Sequence, residues 1–423
     1  MTVLLILSIY CSERRIDIPT DNVIERMESV NVEKSDEDAK EEPVRERFNP
    51  FESRTEATYK IMDAYSSNNL ELNDSQPPLK RILFWNDAYG SRDYGIGVGV
   101  EGFQRLNCPV SRCYATANRT WTAVEDFDAI VFHLRTYLKS DRPDPSKRKA
   151  SQRYVLWSLE SPQYNMQDIP PLNGIFNWTF TYRLDSDVVQ PYGWIEPTGA
   201  FGMKPRVKEI EPALHAAMAD TSRGAGKSKL IAWFVSNCDT KSKREHYVEA
   251  LRKHVAVDVY GECGDLHCDR NNVTGCYAML QRDYKFYLSF ENSFCKDYAT
   301  EKLFSVLALD VVPVVFGGAD YAKMAPPYSY VDARNFRTAL DLADYLNLLD
   351  ANDHLYRQYF WWKTHYRVRN GADDLKLSMC GLCARLHVDD RPKVYDDMEK
   401  WWVRDATCKE PRPDNVFRIP WWN

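Results

Sequence analysis

The chain has 423 residues, 44% hydrophobic and 13% aromatic, too long for one ordinary core and suited to about two folded units plus a tail. A formal net charge of −6 provides no broad basic field, which argues against nucleic acid as a partner. The eleven cysteines fit disulfides in an oxidising compartment or thiols in a reducing one, so their number alone decides nothing.

The start admits two readings. Thr2 to Tyr10 is apolar but far short of the roughly 20 residues that span a bilayer, and Glu13, Arg14 and Arg15 follow it. Residues 1–11 are either the remnant of a signal anchor or a short apolar start that packs or frays. Residues 12–79 are charged and polar, lack hydrophobic periodicity and include Pro77-Pro78 near their end, so a disordered linker is expected; in an anchored enzyme it would be a stem. From Lys80 onward, short apolar runs predict buried strands at 81–86, 127–133, 153–158 and 177–182, an α/β unit over 80–215. Residues 205–228, with a short Ala-rich helix, read as a connection. Beyond it the elements alternate: strand 230–235, amphipathic helix 243–254, strand 255–260, strand 286–290, helix 300–309, strand 311–316. That is the pattern of a parallel, doubly wound sheet over 225–370, which binds ligands at the carboxyl ends of its strands. Two such units facing each other leave a cleft, and 371–423 are expected to be a tail that packs back with its cysteine pair.

Gly97-Val98-Gly99-Val100-Glu101-Gly102 spells G-x-G-x-x-G. A dinucleotide fingerprint needs its first glycine at the end of a strand, and here the strand ends about ten residues earlier. A mobile loop at the cleft edge is the better expectation. Ser158-Leu159-Glu160-Ser161-Pro162 follows a strand, and its proline re-aims the chain. Glu160 therefore falls at the carboxyl edge of the first sheet, where it is either a turn glutamate or a general base for a sugar hydroxyl. Ser236-Asn237-Cys238 follows the first strand of the second unit, and Arg244 opens the next helix, where backbone N–H groups and a guanidinium suit a diphosphate. Phe290-Glu291-Asn292-Ser293 and Asp297-Tyr298-Ala299-Thr300-Glu301-Lys302 span a strand end, a loop and a helix start with Thr300 as N-cap. Glu301 and Lys302 are then either surface charges or ligands for sugar hydroxyls and phosphate.

Cys380-Gly381-Leu382-Cys383 lacks a second ligand pair at zinc spacing and the context of a redox pair. With Cys108 and Cys113 available across the chain, structural disulfides are expected. Asn73, Asn118, Asn177 and Asn272 open glycosylation sequons. Asn177 falls in a predicted buried strand, which leaves Asn73, Asn118 and Asn272 as candidates.

Taken together and in this order, the Ser158–Pro162 run, Asn177-Trp178-Thr179-Phe180-Thr181-Tyr182-Arg183 with Asp185-Ser186-Asp187, the Phe290–Ser293 and Asp297–Lys302 runs and the C-x-x-C resemble the α1,3-fucosyltransferase family (glycosyltransferase family 10) over about 80–390. The resemblance implies a GT-B architecture, two Rossmann-like domains facing across a cleft, with acceptor on the first and GDP-fucose on the second. It implies an inverting single displacement and a type II Golgi membrane protein. Glu160 would be the general base; Arg244 and Lys302 would neutralise the departing diphosphate; Tyr298 and Glu301 would position donor and fucose. Ser236, Asn237 and Asn292 would line the donor site, with Tyr260 near the guanine. The C-x-x-C would pair with Cys108 and Cys113. No metal site and no obligatory cofactor are expected, although a divalent ion such as Mn²⁺ is compatible as a stimulator. Asp185-Ser186-Asp187 spells D-x-D on the acceptor side and is expected to be structural or acceptor-lining.

For the acceptor, the segments 86–90 and 260–264 and the tail beyond Cys383, with Cys408, are most similar to invertebrate and plant core-type members. Those transfer to O3 of the innermost GlcNAc of an N-glycan; a Lewis-type enzyme acting on antennal N-acetyllactosamine or LacdiNAc is the alternative. A non-catalytic sugar-binding protein and a nucleotide-dependent oxidoreductase using the glycine run are the rivals from other classes.

Overall fold

The computed structural model describes residues 77–165, 172–198 and 207–411. The expected anchor remnant, the linker through residue 76 and Asn73 lie outside them. Among the described residues no helix is long and apolar enough to cross a membrane.

Six strands make the first sheet: β1 Lys80–Phe84, β2 Cys113–Thr116, β3 Ala129–His133, β4 Arg153–Ser158, β5 Trp178–Thr181 and β6 Val188–Val189. Their order is β2-β1-β3-β4-β5-β6, and every pairing is parallel. β3 and β4 are buried at each position, because a central parallel strand is covered on both faces and so reads as an unbroken apolar run.

The second sheet holds β8 Lys229–Phe234, β9 Val257–Tyr260, β10 Tyr284–Phe290, β11 Val312–Phe316 and β12 Val331–Asp332, ordered β12-β11-β10-β8-β9 and again parallel throughout. The chain winds outward from β8 to β9, then returns to lay β10 on the other side of β8. The switch point therefore lies between β8 and β10, and the crevice outside their carboxyl ends is where such sheets take ligands. An antiparallel ribbon of β7 Trp194–Pro197 and β13 Tyr366–Arg369 completes the strands.

Helices used below are α1 Glu101–Arg105, α2 Val207–Ala219, α3 Arg244–Leu251, α4 Val273–Asp283, α5 Glu301–Leu307, α6 Ala339–Ala351 and α7 Ala372–Val388. α7, part of the tail expected to pack back, lies against the first sheet. Its Met379, Leu382 and Leu386 are buried in one core with Ile82, Val131 and Trp178. Two disulfides fasten it there, Cys108–Cys380 and Cys113–Cys383. Three more bonds join Cys238–Cys263, Cys268–Cys276 and Cys295–Cys408.

The glycine run has a packing role. Gly99 pairs with Ala115 beside β2, and a Cβ on Gly102, in α1, would lie 2.1 Å from the Ile96 carbonyl oxygen. Only glycine fits that approach.

Candidate active site

The loop from β10 to α5 crosses from the second sheet to the first. The hydroxyls of Ser293 and Ser161 lie 2.6 Å apart, both buried. Leu184 N donates to Asp297 Oδ2 at 3.1 Å, and Lys296 Nζ lies 3.2 Å from Asp185 Oδ2. The chain reverses at Asp297, whose φ of 60° is uncommon for a residue with a side chain. Beyond it the Tyr298 hydroxyl donates to Glu160 Oε2 at 3.3 Å. Glu160 of the first sheet and the β10–α5 loop of the second thus meet.

Glu160 is held from several sides. Ser158 Oγ donates to the Glu160 carbonyl at 3.2 Å, and Tyr192 Oη to the Leu159 carbonyl at 2.7 Å. The hydroxyl of Tyr89, whose ring is half exposed, meets the Glu160 main chain. Tyr298 is buried edge-on against Tyr182, ring centroids 5.0 Å apart, and Tyr192, 6.3 Å. Burial, reinforced by neighbouring charges that include Glu160, pushes the hydroxyls of Tyr89, Tyr192 and Tyr298 far above the ordinary tyrosine value. All three stay neutral and able to donate.

The start of α5 is organised by Glu291, the first residue after β10. Its carboxylate is fully buried and accepts from Thr300 N at 2.7 Å and Thr300 Oγ1 at 2.9–3.0 Å. Thr300 caps α5 as expected, accepting from Lys302 N. The Lys302 ammonium reaches Thr300 Oγ1 and Glu301 Oε1, each at 2.9 Å, and Glu291 Oε2 at 3.4 Å. Burial works against its charge, but Glu291 and Glu301 outweigh burial and hold it above the ordinary lysine value. In the opposite sense, burial pushes the Glu291 carboxyl up against the pull of Lys302. Glu301 is also raised by burial, yet Lys302 brings it below its ordinary value. Lys302 is therefore a fixed cation whose side chain keeps 22% of its surface exposed.

Arg244 is buried at the start of α3, with Nη1 donating to the Phe290 carbonyl at 2.6 Å and its guanidinium 5.6 Å from the Trp233 ring. Its Nε and the Oδ1 of Asn292 are buried without partners among the described residues. These are the kind of polar atoms that a bound anion or hydroxyl satisfies. Ser236 and Asn237 are exposed after β8, beside the Cys238–Cys263 bond. Tyr260 lies at the end of β9 with its hydroxyl 2.7 Å from that of Tyr284. Its polar end is spent inside the domain. Lys241 and Lys243 pair with Glu410 and Asp239.

The D-x-D is structural. Asp185 takes the guanidinium of Arg183 at 2.6–2.9 Å, and Asp187 takes Arg385, Lys393, Tyr395 and Thr179. Cys113, Cys383 and His387 form the one close group of metal-type donors among the described residues, but its two sulfurs are bonded to each other. Asn118 and Asn272 are exposed, whereas Asn177 is buried with Nδ2 donating to the Lys393 carbonyl. Sequence reasoning assigned no role to Glu291, Tyr89 or Tyr192. A carboxylate directly after an apolar strand was the available signal for Glu291; the two tyrosines carried none.

Two family models match the chain: "Fucosyltransferase, N-terminal" over residues 77–193 and "Glycosyltransferase family 10 (fucosyltransferase) C-term" over 224–401. The chain is 41% identical over 339 residues to alpha-(1,3)-fucosyltransferase C of Drosophila melanogaster, covering 77% of this chain and 78% of that one. It is 36% identical over 350 residues to glycoprotein 3-alpha-L-fucosyltransferase A of the same fly, 81% and 64%. It is 35% identical over 329 residues to 3-galactosyl-N-acetylglucosaminide 4-alpha-L-fucosyltransferase FUT3 of Bos taurus, 76% and 81%. A crystal structure of an α1,3-fucosyltransferase with GDP-fucose aligns at 18% identity and TM-score 0.46, over 80% of this chain and 98% of that one. The chain belongs to glycosyltransferase family 10, the fucosyltransferases.

Proposed function

We propose that this chain transfers L-fucose from GDP-fucose to O3 of a GlcNAc residue, with inversion at the fucose C1 and in a single displacement. The observation that carries the reading is the meeting of Glu160 with Tyr298 at 3.3 Å, four residues before the Lys302 cation. A proton acceptor from one sheet and a cationic grip from the other then flank one reaction centre.

In this mechanism the bond from C1 to the β-phosphate oxygen breaks as the bond from C1 to the acceptor O3 forms. Negative charge grows on the diphosphate, and Lys302 and Arg244, fixed before the reaction, stabilise it. Glu301 is close enough to the same centre to accept from fucose hydroxyls. Glu160 takes the O3 proton on the opposite face. Ser236, Asn237 and Asn292 line the donor pocket, with Tyr260 at its base-binding end. Because protein cations meet the leaving charge and the D-x-D carboxylates are already paired, a metal is not obligatory; Mn²⁺ acts at most as a stimulator.

The acceptor we favour is the innermost GlcNAc of an N-glycan, since one of the more similar relatives is named a glycoprotein 3-α-L-fucosyltransferase; antennal N-acetyllactosamine is the second reading. Five disulfides among the described residues support an oxidising lumen, that of the Golgi, with Asn118 and Asn272 glycosylated.

The test is incubation of the purified protein with GDP-fucose and a defined N-glycan, with the linkage mapped by mass spectrometry and NMR. Glu160→Gln is expected to keep GDP-fucose binding and to lose about 10²–10⁴-fold in transfer. Parental activity in that variant removes Glu160 from the mechanism. Transfer only to antennae removes the core acceptor. GDP-fucose binding without transfer would make the chain a sugar-binding protein.

A further inference from the structure

The matched family segment ends at residue 401; the described residues continue to 411 and reach the loop that precedes Tyr298. Upstream, the tail lies along the first sheet: Tyr395 N donates to the Phe176 carbonyl at 2.9 Å and Tyr395 Oη to Asp187 at 2.8 Å. Met398 and Trp402 are buried in the same cluster as Tyr182, Cys295 and Tyr298. Trp402 packs edge-on against Tyr182, 6.1 Å between centroids, and Tyr182 against Tyr298.

The tail then turns onto the loop between β10 and α5 and grips three consecutive residues. Lys409 N donates to the Phe294 carbonyl at 2.9 Å, Cys408 is bonded to Cys295, and Lys296 N donates to the Ala406 carbonyl at 2.8 Å. Glu410 pairs with Lys241, on the loop after β8, at 3.0 Å. Residues 294–296 immediately precede the reversal at Asp297 that brings Tyr298 to Glu160.

We propose that residues 402–410 are a brace across the cleft loop, and that Cys295 and Cys408 are positioning residues for the transfer reaction. The covalent bond and the flanking backbone bonds fix 294–296 on the first-sheet side of the cleft, and so fix the Tyr298 hydroxyl on the base. Lys302 and Arg244 are held independently, by Glu291 and by the end of β10. Breaking the brace thus disturbs alignment while sparing the grip on the diphosphate. This inference rests on the fucosyltransferase reading of the same cleft.

The experiment compares the parent with Cys295→Ser/Cys408→Ser, and with Lys409→Pro, which keeps the disulfide but removes the N–H that Phe294 accepts. Three readouts are taken below the melting temperature: kcat for transfer, GDP affinity by calorimetry, and amide hydrogen exchange across 293–299. The double variant is expected to lose about tenfold or more in kcat, since small misplacements at a reaction centre cost that much, with GDP affinity within about threefold of the parent. Exchange across 293–299 is expected to quicken about tenfold, and Lys409→Pro to show both effects more weakly. Parental kcat and parental exchange in folded double variant overturn the proposal. If that variant does not fold, parental behaviour of Lys409→Pro overturns it. A parent that transfers no fucose sinks the functional reading instead, and exchange still reports whether the brace holds the loop.

Discussion

Glu291→Gln isolates the one buried carboxylate on which the donor side is built. Glutamine keeps the shape and can still accept from Thr300 N, but it places an NH₂ group toward either Thr300 Oγ1 or the Lys302 ammonium. The Coulomb attraction given up across 3.4 Å is about 5 kcal/mol at an effective dielectric of 20. Much of this is offset, because a buried carboxylate no longer has to be desolvated. Glu301 also still pairs with Lys302 at 2.9 Å. What remains is the loss of hydrogen bonds to a charged acceptor, about 2 kcal/mol, which for a chain of this size lowers Tm by about 2–3 °C. With its ammonium less well aimed, GDP affinity should fall about tenfold, or roughly 1.4 kcal/mol. Calorimetry on Glu291→Gln, Lys302→Met and the double variant closes the cycle, and a coupling energy of about 1 kcal/mol or more is expected. Additive single effects, with Tm and GDP affinity unchanged in Glu291→Gln, would refute the claim that Glu291 orients Lys302.

Tyr298→Phe keeps the ring packed against Tyr182 and Tyr192 and removes only the hydroxyl that reaches Glu160; transfer should fall about tenfold, from the loss of one bond to a charged group, with Tm hardly moved. A Tm drop as large as the activity loss would make Tyr298 merely structural. Cys113→Ala/Cys383→Ala opens a cross-link spanning 270 residues and should cost about 2–5 kcal/mol in urea unfolding; an unchanged midpoint contradicts its role in holding α7. Asp389 is held at about 2, below its ordinary 3.8, by hydrogen bonds from Arg391 and by the charge of Arg385. The unfolded chain therefore binds more protons between those values, and stability present above about pH 4 is lost as the pH falls toward 2. The urea midpoint of Asp389→Asn should decline less steeply over that window than the parent's, and parallel curves would show that the pair does not contribute.

The central strands were legible because parallel strands covered on both faces are apolar through their middles, as in β3, β4 and β11. β2, at the sheet edge with the sequence CYAT, and the two-residue β6 and β12 carry too short a pattern to detect. α7 reads poorly for the opposite reason: Cys380, Leu382 and Cys383 are buried on adjacent positions, so no single apolar stripe stands out. In the site, Glu160 and the Tyr298–Lys302 run could be found from their places at strand and helix ends. Glu291 could be located but not given a partner. The inward turn of the Tyr260 hydroxyl to Tyr284 and the convergence of Tyr89 and Tyr192 on the Leu159–Glu160 backbone depend on side-chain direction and on two sheets meeting, which spacing along one chain does not contain. The brace from Cys408 to Cys295 is equally a product of the assembled fold.

The return of α7 has a consequence for biosynthesis. Cys108 and Cys380 are 272 residues apart, so at usual translation speeds roughly 15–55 s separate their emergence from the ribosome. During that interval the first sheet exists without the helix that covers Ile82, Val131 and Trp178, and Cys108 and Cys113 wait as thiols. The nascent amino-terminal half thus presents an apolar, thiol-bearing face, and closure of its two cross-links is deferred until residues 380 and 383 have been made.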